Sequence, residues 1–342
     1  MISIVSEEII RCNPIRGYGI LTQTGKDVLC MRITAIGEIL IDMTQTGADA
    51  DGNALFAAIP GGAPANLAVA ARKLGADAAF VGCVGNDSFG KILCETMLRC
   101  GVEASGLQVT DRADTTLAIV SVDASGERSF SFYRKPGADT RIDRDRALEA
   151  IRGTGILHFG SVSLTDPECR ETILAAVRQA RAQGALITYD PNYRASLWNS
   201  EAEAIHKMRA VLPLCDVVKI SDEETALLTG YAAPEDAAQA LLDGGVRLVL
   251  VTLGAKGAYW RFGSDSGVVP GCKVRVADTN GAGDTFFGAF LRCIAKRGGL
   301  DGLTREQMEA YVRYANRAAS ITVSRRGAIP AMPTEEEMGE MA

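Results

Sequence analysis

Residues 156–189 decide the fold of this chain, and their sequence is ILHFGSVSLTDPECRETILAAVRQARAQGALITY. The apolar runs Ile156–Phe159 and Ala185–Tyr189 have the length of buried strands. Between them, Pro167–Ala182 reads as a helix that starts with proline. A strand, a helix and a second strand in this order predict two parallel strands in one sheet, because parallel strands need a long crossover connection.

The same alternation of strands and helices continues on both sides of this segment. Upstream, residues 31–37 read as a first strand, and a helix over Pro64–Leu74 ends at Gly75. Repeated units of this kind predict an α/β fold with a mainly parallel central sheet covered by helices on both faces. The remaining predicted elements are Ala78–Cys83, Val217–Ile220 and Leu248–Thr252 as strands, and Ser88–Arg99, Glu201–Val211, Glu223–Leu228 and Pro234–Leu242 as helices.

Two strand-rich segments, near residues 39–59 and 116–133, do not alternate with helices. In the second segment, Thr116–Val122 and Ser129–Tyr133 flank the turn signal Asp123–Gly126, which is typical of a β-hairpin. We therefore expect a small antiparallel sheet that projects from the core.

The composition limits the classes of function. Lys and Arg total 36 against 42 for Asp and Glu, and the net charge of −6 disfavours nucleic-acid and anionic-membrane partners. No apolar run approaches the roughly 20 residues of a membrane span. The nine cysteines include no Cys-x-x-Cys pair and indicate reduced thiols in the cytoplasm. With two histidines, a His-rich zinc site or a Ser-His-Asp triad is disfavoured.

The two ends of the chain differ from its regular middle. Residues 1–30 show no clean period, and Glu7 and Glu8 interrupt the apolar stretch that a signal peptide would need. We expect an N-terminal extension here and a domain that starts at Met31. Residues 334–342, which include Glu335–Glu337, are interpreted as an acidic, solvated tail.

The segment with the clearest chemistry is Asp278–Phe286, DTNGAGDTF, a loop of small residues that leads into an apolar helix. Its glycines let the chain turn tightly, and amides at a helix N-terminus form a site for an anion. Asp284 would accept a proton from a hydroxyl group while those amides hold the phosphoryl group under attack, and an ordinary ionised aspartate suffices for this. The alternative is that Asp284 only stabilises the first turn of the helix.

A second glycine loop, Gly61–Asn66, reads GGAPAN and opens a helix. Taken alone, it is equally a tight turn between a strand and a helix. The sequence contains neither a G-x-x-x-x-G-K-[ST] loop nor a G-x-G-x-x-G loop after a strand. This disfavours P-loop enzymes and nicotinamide dehydrogenases.

The two loops, in this order on an α/β pattern, resemble the N-terminal and C-terminal signatures of the ribokinase-like (PfkB-type) carbohydrate kinases. The resemblance extends from Met31 to about Pro333. It implies one ribokinase-like kinase domain over residues 31–333, with three α/β/α layers and a small antiparallel β lid from about 38–59 and 105–133. It also implies that the protein is a kinase that uses ATP and Mg²⁺.

The resemblance assigns roles to individual residues on the sugar side of the site. Asp284 matches the catalytic base of the family, and Asp42 matches an acidic residue that binds sugar hydroxyls. The residues that match the anion hole are Gly281, Ala282 and Gly283, and those that match further sugar contacts are Gly61, Gly62 and Asn66.

On the nucleotide side, Thr252, Gly254 and Gly257 match the segment beside the phosphates and ribose, and Asn316 matches a residue near the adenine. The N-x-x-E motif of the family, tied to magnesium and phosphate placement, corresponds to residues 221–224. Ser221 stands where the family usually has asparagine, whereas Glu224 keeps the acidic position and would reach Mg²⁺ through water.

Asp190–Arg194, DPNYR, resembles a segment shared by fructokinases and 2-keto-3-deoxygluconate kinases. The resemblance assigns Asp190 to the nucleotide side, and Arg194 offers a planar cation for a triphosphate or a substrate carboxylate. Many family members also hold a potassium-like ion through loop carbonyls, and their lids clasp in some homodimers. The matching carbonyls here belong to Asp278, Asn280, Thr322, Arg325 and Gly327.

Fructose is the first choice of substrate, on the resemblance of residues 37–43, 132–136 and 325–330 to bacterial fructokinases. Within them, Phe132 and Arg134 are assigned to the substrate. The second choice is 2-keto-3-deoxygluconate, whose carboxylate needs a cation such as Arg134 or Arg194, and ribose and nucleosides follow. A sugar- or nucleotide-binding protein without turnover is the alternative from another class, although such a protein has no need of a base at Asp284.

Overall fold

The computed structural model describes residues 30–122 and 128–339. The predicted turn at Asp123–Gly126 and the predicted extension up to residue 29 lie outside these residues. Within them, the strands are β1 Ile33–Ile36, β2 Leu40–Ala48, β3 Ala54–Gly61, β4 Ala78–Gly85, β5 Glu103–Thr110, β6 Leu117–Val122, β7 Arg128–Tyr133, β8 Ile156–Gly160, β9 Leu186–Asp190, β10 Val217–Ser221, β11 Leu248–Thr252, β12 Ala258–Phe262 and β13 Asp265–Val269.

The larger sheet has nine strands in the order β13-β12-β11-β10-β9-β8-β1-β4-β5. The pairings from β11 to β5 are parallel, and β12 and β13 add an antiparallel edge. Strands inside the sheet are buried along their whole length, as all residues of β8 and β4 are, because helices cover both faces of a parallel sheet. The mainly parallel central sheet is therefore confirmed.

Two apolar cores lie on the two faces of this sheet. Ile33 and Ala35 of β1 belong to one core and Ile36 to the other, as the alternation of side chains along a strand requires. No helix in the described part of the chain is both long and apolar enough to cross a membrane. The helices are α1 Ala63–Lys73, α2 Ser88–Arg99, α3 Arg144–Ala150, α4 Pro167–Ala182, α5 Glu201–Ala210, α6 Asp222–Thr229, α7 Pro234–Asp243, α8 Ala282–Arg297, α9 Arg305–Val323 and α10 Glu335–Met338.

The smaller sheet has the order β3-β2-β6-β7. Its two outer pairings are antiparallel and its central pairing, β2 with β6, is parallel. One predicted boundary differs from the structure. The second segment of the lid does not begin near residue 105, because β5 pairs with β4 at the edge of the larger sheet. The smaller sheet, which we call the lid, is therefore built from residues 40–48, 54–61, 117–122 and 128–133.

Within the predicted acidic tail, residues 335–338 form a short helix, and its acidic side chains are exposed. Thr334 and Glu337 form a capping box that starts α10, and Met338 is buried. Glu335 accepts hydrogen bonds from Arg292 at 2.6 Å and from Lys296 at 2.7 Å. Two of the three acidic residues are thus paired with basic side chains, Glu335 with helix α8 and Glu337 with Arg325, although both remain exposed.

Candidate active site

The loop predicted to bind an anion, which we call the anion-binding loop, lies at the start of α8. Gly281 is the N-cap of this helix and has a left-handed backbone with φ of 73°, which favours glycine. Amides in the first turn of a helix have no acceptor within the helix, so they can bind an anion. Gly281, Ala282, Gly283 and Asp284 are all partly exposed, so the loop is accessible.

Asp284 connects the two glycine loops of the sequence. Its Oδ2 accepts a hydrogen bond of 2.8 Å from Nδ2 of Asn66, which lies in the first turn of α1. Burial raises the pKa of Asp284, while the Asn66 bond and the positive charges of Lys219 and Arg194 lower it, with burial the larger effect. The carboxyl is therefore a stronger base than an ordinary aspartate, which suits it to accept a proton.

Asp42 lies on β2, where the lid meets the core, and its carboxylate is closely surrounded. Its Oδ2 accepts a hydrogen bond of 3.1 Å from Nδ2 of Asn280. A Cβ atom on Gly61 would lie 2.6 Å from the same oxygen, so a larger residue there would have to displace the carboxylate of Asp42. Burial raises the pKa of Asp42 to about 6, although Asn280 and the charge of Arg194 lower it.

Gly62 fits the backbone where the lid strand β3 turns into α1. It has φ of 106°, and a Cβ atom there would lie 2.6 Å from the carbonyl oxygen of Glu38. A side chain at this position would push the turn before α1 away from the backbone of Glu38 and Ile39. The glycine is therefore required for the close approach of these two segments. The structure thus explains both glycines of the GGAPAN motif.

Phe132 shares a face of the lid with Asp42. Asp42 pairs with Ala118 on β6, and Ala118 pairs with Phe132 on β7, so the three side chains form one row across the lid. Because Asp42 reaches the anion-binding loop from this face, Phe132 also faces the site.

Arg134 does not act as predicted, because its guanidinium is buried in contacts with the protein. It forms an ion pair with Asp139 at 2.7 Å, with the two side chains 6% and 0% exposed. It also donates to Oγ1 of Thr165 at 2.7 Å and to the carbonyl of Val162 at 3.2 Å. Arg134 therefore anchors the end of β7 and is not placed to bind a substrate carboxylate.

Arg194 lies close enough to both carboxylates to affect them. It is partly buried and donates a hydrogen bond of 3.0 Å to the carbonyl of Tyr193. Its positive charge lowers the pKa of Asp42 and of Asp284. The cation on the Asp190–Arg194 segment thus acts on one carboxylate of the lid and on one of the anion-binding loop.

Glu224 and Ser221 form the capping box of α6. Oε2 of Glu224 accepts from the amide and hydroxyl of Ser221, and Oε1 accepts from the amide of Tyr193 at 2.8 Å. Serine, like the asparagine that stands here in the family the sequence resembles, is a residue type that caps helices. Among the described residues, no three acidic, histidine or cysteine side chains cluster to hold a metal ion.

The nucleotide segment forms a turn against the edge of the sheet. Gly257 has φ of 102°, and a Cβ atom there would lie 2.1 Å from the carbonyl oxygen of Val269. Nδ2 of Asn316 donates to the carbonyls of Val269 and Pro270, so this amide holds the neighbouring wall in place. Thr252 and Gly254 lie on the same turn, at the end of β11 and directly after it.

The residues of the predicted cation site lie in two segments that the side chain of Asp278 connects. Its carboxylate accepts from the amides of Asn280 at 2.9 Å and of Gly327 at 3.0 Å. The amide of Arg325 donates to the carbonyl of Thr322 at 3.1 Å. The two segments are therefore adjacent, and the cation site itself stays a prediction.

Sequence reasoning missed two charged residues of the site. Lys219 on β10 forms a buried ion pair with Asp190. Glu38 is 2% exposed, accepts a hydrogen bond from Ser163, and has a pKa that burial raises to about 7. The sequence did contain a signal for Lys219. A lysine stands within the apolar run Val217–Ile220, and a buried strand disfavours a charged residue unless it is paired.

The comparisons with known proteins agree with this geometry. A family model described as pfkB family carbohydrate kinase matches residues 31–335. "Probable fructokinase-4" of Arabidopsis thaliana is 41% identical over 314 residues, which cover 90% of this chain and 95% of that protein. The structure of a fructokinase with bound ATP from Xylella fastidiosa is 35% identical, with a TM-score of 0.82, over 92% of this chain and 98% of that one. A fructokinase structure from Vibrio cholerae O395 in fructose, ADP and calcium ion bound form is 33% identical, with a TM-score of 0.80, over 90% and 98%.

Proposed function

Since this chain belongs to the pfkB family of carbohydrate kinases, we propose that it transfers the γ-phosphoryl group of ATP to the primary hydroxyl of D-fructose, forming fructose 6-phosphate. The named relatives and solved structures are fructokinases, and one of those structures holds fructose and ADP. The observation that carries the mechanism is the position of Asp284, accessible and hydrogen-bonded to Asn66, in the first turn of α8.

In the reaction, the sugar oxygen forms a bond to the γ-phosphorus while the bond from that phosphorus to the oxygen of ADP breaks. Asp284 accepts the hydroxyl proton, and the amides of Gly281, Ala282 and Gly283 hold the phosphoryl oxygens. Mg²⁺ bound to the phosphates neutralises part of their charge when present. Transfer of this kind depends mainly on positioning, and a rigid helix N-terminus supplies it.

The sugar would bind between the lid and the core. Asp42 and Phe132 reach the site from one face of the lid, and Asn66 reaches it from α1. Closure of the lid would exclude water, which otherwise competes with the sugar as acceptor.

We assign the kinase domain to residues 31–333, with a monovalent cation beside the anion-binding loop and a homodimer formed through the lids. A cytoplasmic location fits the use of ATP and the eight free cysteines of the described residues.

The substitution Asp284→Ala tests the mechanism, because it removes the base without touching the nucleotide wall. We expect kcat to fall about 100- to 10,000-fold, the usual contribution of a general base, while the affinity for ATP stays near that of the unaltered protein. ADP release is measured in a coupled assay, and ATP binding by calorimetry. A variant that retains full turnover would overturn the role of Asp284.

The identity of the sugar is tested on the unaltered protein, with a panel of fructose, 2-keto-3-deoxygluconate, ribose and adenosine. Fructose should give the highest kcat/KM. Because Arg134 is held in a buried ion pair, Arg194 is the remaining one of the two arginines predicted to bind a substrate carboxylate. Higher activity on 2-keto-3-deoxygluconate than on fructose would therefore assign that carboxylate to Arg194, and no ADP release with any sugar would favour a binding protein.

A further inference from the structure

Lys219 forms a buried ion pair that the mechanism above does not use. Its Nζ lies 2.8 Å from Oδ2 of Asp190, and the two side chains are 8% and 3% exposed. A buried ion pair is often no more stabilising than apolar residues of similar size, because both charges lose their hydration. The surrounding strand residues Val217, Val218 and Ile220 are apolar and buried, so packing alone would favour an apolar residue at this position.

The strand register places this pair beneath α8. Val218 on β10 pairs with Tyr189 on β9, so the next residues, Lys219 and Asp190, share the opposite face of the sheet. Val218 and Tyr189 belong to one apolar core, whereas α8 packs into the other. The pair therefore lies at the carboxyl edge of two adjacent parallel strands, on the side of the anion-binding loop.

The ammonium group of Lys219 lies directly beside that loop. A Cβ atom on Gly283 would be 3.0 Å from Nζ and 3.8 Å from Cε of Lys219. Gly283 leaves this space open, and a larger residue would displace the lysine. The charge of Lys219 also acts on the base itself, since it lowers the pKa of Asp284.

The ammonium group has unused hydrogen-bonding capacity. It carries three donors, and within the described residues the hydrogen bond to Asp190 is the one it makes. Oδ1 of Asp190 is also buried without a hydrogen-bond partner. The structure thus contains a full positive charge with spare donors at the point where helix amides alone would supply only partial charge.

We propose that Lys219 is a further catalytic residue, whose ammonium group donates a hydrogen bond to an oxygen of the transferred phosphoryl group while Asp190 holds it beside Gly283. This inference rests on the phosphoryl transfer proposed above. The transition state of that reaction spreads negative charge over the phosphoryl oxygens, and a fixed cation stabilises it more than it stabilises the bound substrates. Asp190 is a positioning residue in this scheme, because it directs the flexible lysine.

The test compares Lys219→Met, which keeps the length of the side chain and removes its charge, with the double variant K219M/D190N. The double variant leaves no buried unpaired charge, so it separates catalysis from folding. Lys207→Met is the matched control, because Lys207 also pairs with a carboxylate, Glu203, but on α5 away from the site. The assays measure kcat, the KM values for sugar and ATP, the Tm, and inhibition by ADP with aluminium fluoride, a mimic of the transferred phosphoryl group.

We expect K219M and the double variant to lose at least about 100-fold in kcat, as removal of one oxyanion donor typically does, with the sugar KM within a few-fold of the unaltered protein. Inhibition by ADP with aluminium fluoride should weaken at least tenfold, while inhibition by ADP alone should change little. K207M should keep its turnover.

A double variant that keeps kcat within threefold, or one that weakens ADP and its aluminium fluoride complex equally, would overturn the proposal. The assays use the sugar that the unaltered protein phosphorylates fastest. If that sugar is not fructose, the substrate proposal fails while the test of Lys219 proceeds unchanged.

Discussion

At the scale of single residues, Asn280 has a role that its position in the loop did not reveal. The family resemblance assigns its backbone carbonyl to a cation, whereas its side chain donates a hydrogen bond to Asp42. The two residues are 238 positions apart, so the sequence patterns that single out each residue do not show that the two are in contact. The bond joins the lid to the anion-binding loop and therefore links the sugar side of the site to the phosphoryl side.

The substitution Asn280→Ala removes this bond and keeps the backbone carbonyl. Asn280 lowers the pKa of Asp42, which burial has raised to about 6, so the pKa should rise further without it. The free energy of a hydrogen bond to a charged group corresponds to a pKa shift of about one unit. The acid limb of kcat/KM for fructose should therefore move about one unit to higher pH, while the KM for ATP stays constant. An acid limb that stays in place would show that Asp42 does not contact the sugar in its ionised form.

The sequence predicts the members of the site best where they belong to contiguous motifs, as Gly281, Gly283 and Asp284 do. It fails for Glu38 and Lys219, because their importance comes from burial among charges that other segments supply. It also assigned Arg134 to the substrate, since no local pattern shows that Asp139 lies within ion-pair distance of it.

At the scale of elements, α10 shows where local patterns lose their predictive value. A helix of four residues has little intrinsic stability, so its formation depends on tertiary contacts with α8. The sequence did contain one signal, the capping box Thr334-x-x-Glu337. Longer elements were predicted closely, and the bounds of α2, α4 and β11 coincide with those predicted because their capping residues and apolar runs are unambiguous.

The substitution Glu335→Gln tests whether α10 stabilises the domain through its ion pairs. Lys296 and Arg292 lower the pKa of Glu335, so its stabilisation is present at neutral pH and is lost as the pH falls through that pKa. Since the side chain is about half exposed, we expect a loss of about 1 kcal/mol or less at pH 7, measured by urea unfolding. The control Glu336→Gln, at an exposed position without an ion pair among the described residues, should change nothing. Equal effects of the two variants would contradict this role.

At the scale of the whole molecule, the fold brings acidic groups from distant segments close enough to Asp284 for its charge to act on them. Glu38, Asp42, Asp190 and Asp284 all have pKa values that burial raises. Such groups bind protons more tightly in the folded chain than in the unfolded one. The free energy of unfolding therefore falls as these carboxyls ionise, which makes the site a source of instability that ligands and their metal ion can relieve.

The substitution Glu38→Gln should show how much the ionised side chain of Glu38 lowers the free energy of unfolding. The pKa of Glu38 is raised from 4.5 to about 7, so the native chain holds an extra proton between these values and loses stability as pH rises through them. Without the ionisable group, the free energy of unfolding at pH 8 should increase by up to about 3 kcal/mol, with little change at pH 4.5. Urea unfolding at both pH values measures the effect, with Glu149→Gln in an exposed ion pair as control. An unchanged pH dependence in E38Q would contradict the assignment.

The hydrogen bond between Asn66 and Asp284 has a consequence for how the protein is made. The two residues are 218 positions apart, on helices that contact closely: a Cβ atom on Gly288 of α8 would lie 2.9 Å from the carbonyl oxygen of Leu67 on α1. A chain emerging from the ribosome exposes α1 and every strand of both sheets before α8 appears. During translation, the face of α1 that packs against α8 therefore stays uncovered until α8 is made, and Asp284, the proposed base, is added only near the end of synthesis.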